Sequence, residues 1–434
     1  MQTKRALTFL HAHATRRNVG DDAIVLAIHR LAAQTFPDRE VRFFDVSRDT
    51  DPIPGEPVQR SLPLYSYHRP WHWPAMLSCI TRADAVVIGG GEILAGGIEF
   101  LGLGLLGLAA GVPVFFSGVG VDLSRTSRLN RAYSGFVARR ARLFVTRDEA
   151  AAAELRELGV KPERIHIAPD LVLALEVPAL PVRAPSDQPR IGVSLRPMQS
   201  PEFPVGEAEL GAVARFLDSL VESRNAAIVL LPFLDPRAPF PTGSSFASDR
   251  EVLLRMAQLM KHQDRVTLYQ GSLKPSDMIG VLSGLHGLVA MRLHAAILGL
   301  KAGIRPLAIE YAPKTRRALT RLGFGDRVVR FDELDAPGMA DRLLTDPVDP
   351  AIMTALAEEV RRDFARIAGA VRAGGRGSLV RRWSLTLLAL MLHAVVALYA
   401  ALPPLRRARA RRRTAAASDP HPSTAIRLGW NAPE

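Results

Sequence analysis

Short apolar runs alternate with longer amphipathic stretches through most of this chain, and the alternation restarts once. Residues 6–10, 41–46, 85–88, 112–117 and 143–146 are near-continuous apolar runs, the pattern of strands buried on both faces of a parallel sheet. Between them, 21–34 and 149–158 read as helices, and Gly159 stands where a left-handed helix C-cap is expected. A proline-rich stretch, 178–189, interrupts the pattern. It then resumes with apolar runs at 191–195, 227–231, 266–269, 287–290 and 306–309 and helices such as 213–224 and 250–261. Two consecutive βαβ series predict an α/β fold of two doubly wound, Rossmann-like domains, 1–177 and 190–370, joined by a linker at 178–189. Ligands of such sheets bind beyond the carboxyl ends of the strands, so the cleft between the domains is the expected site. Residues 49–69 are proline-rich and polar without a period, which predicts a surface loop. It leads into Trp71-His72-Trp73, aromatic side chains that either pack beneath it or stack on a sugar.

Composition changes this picture little. The chain has 434 residues, 48% hydrophobic and 23% charged, enough for two cores. The single cysteine, Cys79, excludes an intrachain disulfide or a cysteine-built zinc site and suits a reducing compartment. The first apolar run is broken by His11 and His13 and followed by Arg16 and Arg17, which reads as a strand and not a signal peptide. The net charge of +13 belongs to the tail: from Arg366 onward there are twelve arginines against two acids, Asp419 and Glu434. The tail arginines adjoin an apolar segment and have no aromatics among them, which argues against a nucleic-acid partner.

Candidate chemistry sits after the strands. In Asn18-Val19-Gly20-Asp21-Asp22, Asn18 and Gly20 permit a tight turn, and Asp21 or Asp22 is placed to cap the next helix. The same loop opens on the cleft, where an acid would reach a bound ligand. Gly89-Gly90-Gly91-Glu92 ends a buried strand; its glycines let a ligand approach the backbone, and free amides there favour an anion. Glu92 opposes this, because a carboxylate competes for the same field. Ser117-Gly118-Val119-Gly120 repeats the logic less specifically. Arg147-Asp148-Glu149 reads as a helix cap, and Asp170 as either a turn residue or a cleft residue.

The sharper signal is Met291-Arg292-Leu293-His294, where a strand ends and a cation and an imidazole follow two positions apart. Arg292 can hold a phosphate or carboxylate with two parallel bonds, and His294 can move protons near neutral pH. Arg196 ends the first strand of the second series, and Lys314 follows a later one. Three cations at strand ends of one domain point to a small polyanionic ligand.

In order and spacing, Asn18-x-Gly20-Asp21, Gly89-Gly90-Gly91, Ser117-Gly118-x-Gly120, Arg147-Asp148-Glu149, Pro169-Asp170, Arg292-Leu293-His294 and Tyr311-x-x-Lys314 resemble the polysaccharide pyruvyltransferase family over about residues 8–330. The resemblance implies a GT-B-like pair of Rossmann-type halves. It also implies an enzyme that transfers the carboxyvinyl group of phosphoenolpyruvate to a sugar hydroxyl of a cell-surface or exopolysaccharide precursor, closing a pyruvate ketal. It places the donor at Arg292, Leu293 and His294, with Arg196 as a second donor arginine and Lys314 beside them. Asn18, Gly20, Asp21 and the Gly89–Glu92 loop fall on the acceptor side. The expected partners are phosphoenolpyruvate, as co-substrate without any cofactor or metal, and a saccharide acceptor, free or lipid-linked. Glu92 and the long C-terminal extension depart from the family pattern and leave the acceptor open. Two other readings suit the same fold: a GT-B glycosyltransferase with a nucleotide-sugar donor, and a non-catalytic membrane-bound partner in glycan assembly. The Arg196, Arg292 and His294 set fits a small dianion better than a nucleotide.

Residues 371–434 form the extension. Within it, 383–402 is a stretch of twenty residues without a formally charged side chain. As a helix it would be about 30 Å long, enough to cross a bilayer core. Arg381 and Arg382 precede it, Pro403 and Pro404 end it, and six arginines follow between Arg406 and Arg413. Spanning would carry those arginines outward, against the positive-inside tendency. The expected arrangement is a helix lying in the cytoplasmic leaflet of the inner membrane, held by anionic headgroups, with a polar and disordered end after Arg413. Truncation after Arg376 is expected to leave a folded protein that no longer co-sediments with anionic vesicles. Aggregation of the truncated chain would place 383–402 in the core instead.

Overall fold

A computed structural model of the chain describes residues 6–11, 18–45, 62–63, 73–92, 94, 98–124, 126, 128–176, 187–197, 205–234, 248–374 and 428–430. The first half runs β1 (Ala6–His11), α1 (Val19–Thr35), β2 (Glu40–Asp45), β3 (Leu62–Pro63), α2 (Trp73–Arg82), β4 (Ala83–Glu92), α3 (Ile98–Ala109), β5 (Val114–Gly120), α4 (Arg128–Ala138), β6 (Leu143–Thr146), α5 (Glu149–Glu157) and β7 (Ile165–Ile167). The second runs β8 (Arg190–Ser194), α6 (Glu207–Arg224), β9 (Ala227–Leu230), α7 (Asp249–Gln258), β10 (Val266–Tyr269), α8 (Pro275–Ser283), β11 (Gly287–Ala290), α9 (Leu293–Lys301), β12 (Leu307–Ile309), α10 (Pro313–Arg321), β13 (Val328–Val329), α11 (Met339–Leu343), α12 (Pro350–Arg372) and β14 (Leu428–Trp430).

Both sheets are parallel and have the same winding. The first is ordered β3-β2-β1-β4-β5-β6-β7 and the second β13-β12-β11-β8-β9-β10-β14. The order reverses between β1 and β4 in one sheet and between β8 and β11 in the other. These are the crevices where doubly wound folds take ligands. The expected two-sheet α/β fold is therefore present, with strands 143–146, 266–269 and 287–290 at their predicted bounds.

Some expectations need correction. Asn18, not Asp21 or Asp22, caps α1: its side chain accepts the Gly20 N–H at 3.0 Å, and the two aspartates lie in the first turn. A short side chain one position before the helix reaches the free amides, whereas acids inside the turn only complement the dipole. The stretch read as a loop without strands contains β3, paired with β2. The end of the chain, read as disordered, contributes β14, which pairs with β10. Three consecutive residues, Leu428, Gly429 and Trp430, suffice to extend a sheet edge, because backbone groups make the ladder. Most of the expected linker, Trp71, His72 and the segment 383–402 lie outside the described residues. Among the described residues no helix is long and apolar enough to cross a membrane.

Three apolar clusters hold the molecule together. One covers the outer face of the first sheet, with Phe116, Phe144 and Leu155, and one the outer face of the second, with Ile228, Leu268 and Val289. The third is shared: Ile24 and Leu31 of α1, Leu171–Leu175, Ile297 of α9 and Phe364 of α12 form one buried cluster. Helix α12 returns from the second sheet to pack on the short helix Leu171–Ala174 and on α1, where the Arg372 side chain donates to the Thr35 carbonyl at 2.7 Å. Lys301 of α9 makes a second crossing bond, donating its Nζ to the Leu173 carbonyl at 2.8 Å.

Burial, helped by the nearby Arg361, lowers the Lys301 pKa from its ordinary 10.5 to about 8. Between those values the unfolded chain keeps a proton that the native state has released, so stability rises with pH across that window. Urea unfolding should show a gain on the order of 2 kcal/mol from pH 7.5 to 9.5. That gain should be missing in Lys301→Met; equal slopes in both proteins would mean that the lysine is not desolvated.

Candidate active site

The carboxyl ends of the two sheets face each other. The first turn of α1 spans the gap: the Val19 N–H donates to the Phe233 carbonyl at 3.0 Å, and Asn18 forms an antiparallel bridge with Leu234. Phe233 follows β9, so the loop after the first strand of one sheet is bonded to the loop after the second strand of the other.

Between these loops lies a cavity of about 190 Å³, lined by Asn18, Asp21, Gly91, Arg147, Arg196, Phe233, Arg292, Leu293, His294, Tyr311 and Lys314. The lining residues lie at strand ends, in the loops that follow them or in the first turns of the next helices. The sequence-predicted residues Arg196, Arg292, Leu293, His294, Lys314, Asn18, Asp21 and Gly91 are thus brought together. Gly20, Gly89 and Gly90 do not line it. Gly89 instead gives room to Ile28: a Cβ there would lie 2.7 Å from the Ile28 Cδ1. Gly90 and Gly91, with φ of 70° and 81°, turn the end of β4 through a conformation that other residues resist. Glu92 is the last residue of β4.

Arg292 is not a lone cation. Its Nε and one terminal nitrogen donate to Asp249 at 2.7 and 2.5 Å, and Asp249 is wholly buried. The Asp249 carboxylate also accepts the Phe233 N–H at 3.1 Å. Desolvation would lower the Arg292 pKa, but Asp249 outweighs it and the net shift is upward. The guanidinium is therefore charged, rigid and aimed at the cavity. Arg196 stacks on Tyr311, its guanidinium carbon 4.8 Å from the ring centroid, and the Lys314 ammonium lies 5.4 Å from the same ring. The Arg196 Nε is buried without a hydrogen-bond partner.

The first half contributes a cation that the cap reading of Arg147-Asp148-Glu149 overlooked. Asp148 does cap α5, accepting the Ala151 N–H at 2.8 Å. Arg147, however, is buried beside the cavity and donates to Asp170 at 3.2 Å. Of the two readings of Asp170 the turn residue holds; it does not line the cavity but contacts His294, which does. It caps the short helix Leu171–Ala174 through the Val172 N–H at 3.1 Å, and its Oδ2 lies 3.6 Å from the His294 Nε2. Burial alone would raise its pKa. His294, Arg147 and the Val172 amide together hold the carboxyl well below the usual range.

His294 lies against Gly20. A Cβ at position 20 would sit 2.4–2.6 Å from the imidazole Nδ1, Cγ and Cβ, distances that no side chain accepts. The glycine of the first loop is thus required by the histidine of the other half. Among the described residues no group of three His, Cys, Asp or Glu gathers to hold a metal. Gly20→Ala gains helix propensity worth about 1 kcal/mol at most. It overpacks the contact by about 1–3 kcal/mol. The expected net effect is a loss of roughly 1–2 kcal/mol in urea unfolding, together with displacement of the His294 ring. A variant as stable as wild type would show that the ring yields freely.

Comparison with known proteins agrees with this architecture. Among solved structures, the UDP-GlcNAc 2-epimerase from Methanocaldococcus jannaschii superposes with a TM-score of 0.52 at 9% identity, covering 84% of this chain and 99% of that one. HepE of Anabaena, solved in complex with UDP, gives a TM-score of 0.52 at 13% identity, covering 84% and 99%. MnaA of S. aureus, solved with UDP, gives 0.50 at 11% identity, covering 82% and 91%. At such identities these likenesses establish the GT-B-like fold alone. A search of curated proteins finds no match. The sequence profile described as polysaccharide pyruvyl transferase matches residues 18–313, from the cap of α1 to the start of α10, and so includes every residue of the cavity wall except Lys314. The chain belongs to the polysaccharide pyruvyl transferase family and is a transferase.

Proposed function

We propose that this protein transfers the carboxyvinyl group of phosphoenolpyruvate to a hydroxyl of a cell-surface or exopolysaccharide precursor and closes a pyruvate ketal on it. The observation that carries this reading is the set Arg147, Arg196, Arg292 and Lys314 around one small cavity with His294 in its wall. Phosphoenolpyruvate presents a carboxylate and a phosphate close together, a load that several fixed cations can neutralise. A volume of about 190 Å³ falls below the usual 300–1,000 Å³ of sites for larger ligands. That favours a compact dianion over a nucleotide sugar, although the structural neighbours include proteins solved with UDP.

In this reading Arg196, Arg292 and Lys314 bind the donor, and His294 carries the proton of the addition. The acceptor sugar enters from the side of Asn18, Asp21 and Gly91. The extension after α12 docks the enzyme on the cytoplasmic face of the inner membrane, close to a lipid-carried acceptor.

Calorimetry should detect phosphoenolpyruvate binding and no response to UDP-sugars; the reverse result would assign the nucleotide-sugar chemistry. Arg196→Ala removes a charge-assisted contact worth about 1.5–3 kcal/mol, so the donor KM should rise roughly ten- to hundredfold with less change in kcat. Arg292→Ala is a different case. It leaves Asp249 buried without its counter-charge, at about 3–5 kcal/mol of stability. The double change Arg292→Met with Asp249→Leu should refold without recovering donor affinity. His294→Gln should leave donor binding nearly intact and lower kcat by about 10²–10⁴. Full activity in the glutamine variant would make His294 a packing residue.

A further inference from the structure

We infer that Asp170 is a positioning residue for His294, holding the neutral imidazole with its proton on Nε2 so that Nδ1 acts as the base toward the acceptor hydroxyl. The inference deepens the proposed function and rests on it for the reaction, but not for the geometry. The two residues come from different halves: Asp170 from the loop after β7, His294 from the first turn of α9. Nε2 points at the Asp170 Oδ2 across 3.6 Å and is buried with no hydrogen-bond partner. Nδ1 lies on the other side of the ring, over Gly20. Gly20 sits between Asn18 and Asp21, which line the cavity on the acceptor side.

Asp170 accepts from Arg147 and from the Val172 amide, and both contacts favour its ionised form. A permanently ionised, acceptor-only carboxylate facing Nε2 favours the tautomer that places a proton there. The gap of 3.6 Å is longer than a hydrogen bond, as catalytic contacts often are before substrate binds. Arg147 fixes the carboxylate from behind and competes with His294 for it. The other charged groups around the ring are Asp21, Arg196, Arg292 and Lys314 in the cavity wall.

The reaction then balances without another proton donor. The acceptor O–H bond breaks as its oxygen bonds C2 of phosphoenolpyruvate, and the proton passes to Nδ1. The C2=C3 electron pair moves to C3, which takes that proton back from Nδ1 and becomes a methyl group. The C2–O bond to phosphorus then breaks, and its electron pair leaves with the phosphate. A second hydroxyl adds to C2 and closes the ketal, its proton departing with the phosphate. His294 ends as it began, with Nε2–H still directed at Asp170.

The test has one arm without substrate and one with it. The full chain labelled with ¹⁵N-histidine, with His294→Gln to assign the signal, should show His294 as the Nε2–H tautomer when neutral, and Asp170→Asn should abolish that bias. An Nδ1–H tautomer in the wild type overturns the inference whether or not any variant folds. In the kinetic arm, Asp170→Asn should lower kcat by about 10²–10⁴ with the donor KM within threefold, as expected when a histidine base loses its tautomer partner. Asp170→Asn combined with His294→Gln should be no slower than the slower single variant. An unaltered kcat in Asp170→Asn overturns the inference. A wild type without turnover or calorimetric response to phosphoenolpyruvate overturns the donor reading and leaves the tautomer measurement to decide the geometry.

Discussion

The cleft depends on one contact between the halves: the first turn of α1 entering the crevice of the second sheet. Gly20 makes room for the His294 ring, and Val19 donates its amide to Phe233. Phe233 then passes the register on, because its own N–H holds the carboxylate of Asp249 that grips Arg292. A chain of short, directional contacts runs from the N-cap of α1 to the central guanidinium of the cavity. A shift of an ångström at the first turn would move the cations and the imidazole relative to each other, and catalytic geometry tolerates little of that.

Two buried ion pairs do the positioning. Arg292–Asp249 and Arg147–Asp170 are both largely removed from water. Such pairs are poor sources of stability, since desolvation of the two ions offsets most of their attraction. Their value here is preorganisation. Each carboxylate takes two or more donors, so each guanidinium is held in one orientation before an anion arrives. The same pairs temper the charge of the cavity. Four cations without counter-ions would repel each other.

The shared apolar cluster makes this arrangement a property of the whole molecule. Helices α1, α9 and α12 and the segment Leu171–Leu175 bury one another, so Asp170 and His294 are each anchored to the cluster that joins the halves. Helix α12 begins in the second half and finishes on the first, with Arg372 bonded to the end of α1.

The pattern of apolar runs and glycines in the sequence already determined two parallel sheets, their central strands and the candidates Arg196, Arg292, His294 and Lys314. Those features follow from periodicity and from the rule that ligands meet the carboxyl ends of strands, both local in sequence. What pairs with what was not legible. Arg147 beside Asp148 looks like any helix start, and nothing near Asp249 marks it as the partner of Arg292, 43 positions away. Asn18 was not preferred over Asp21 and Asp22 as the cap of α1, because all three side chains can accept an amide, and only the path of the chain into the second half selects one. Gly20 looked like a turn glycine; its reason is an imidazole 274 positions away. Strand ends are set by the residues that form them, but the distance between two charges is set by how separate layers pack, and that packing was settled only when the two sheets closed on one shared core.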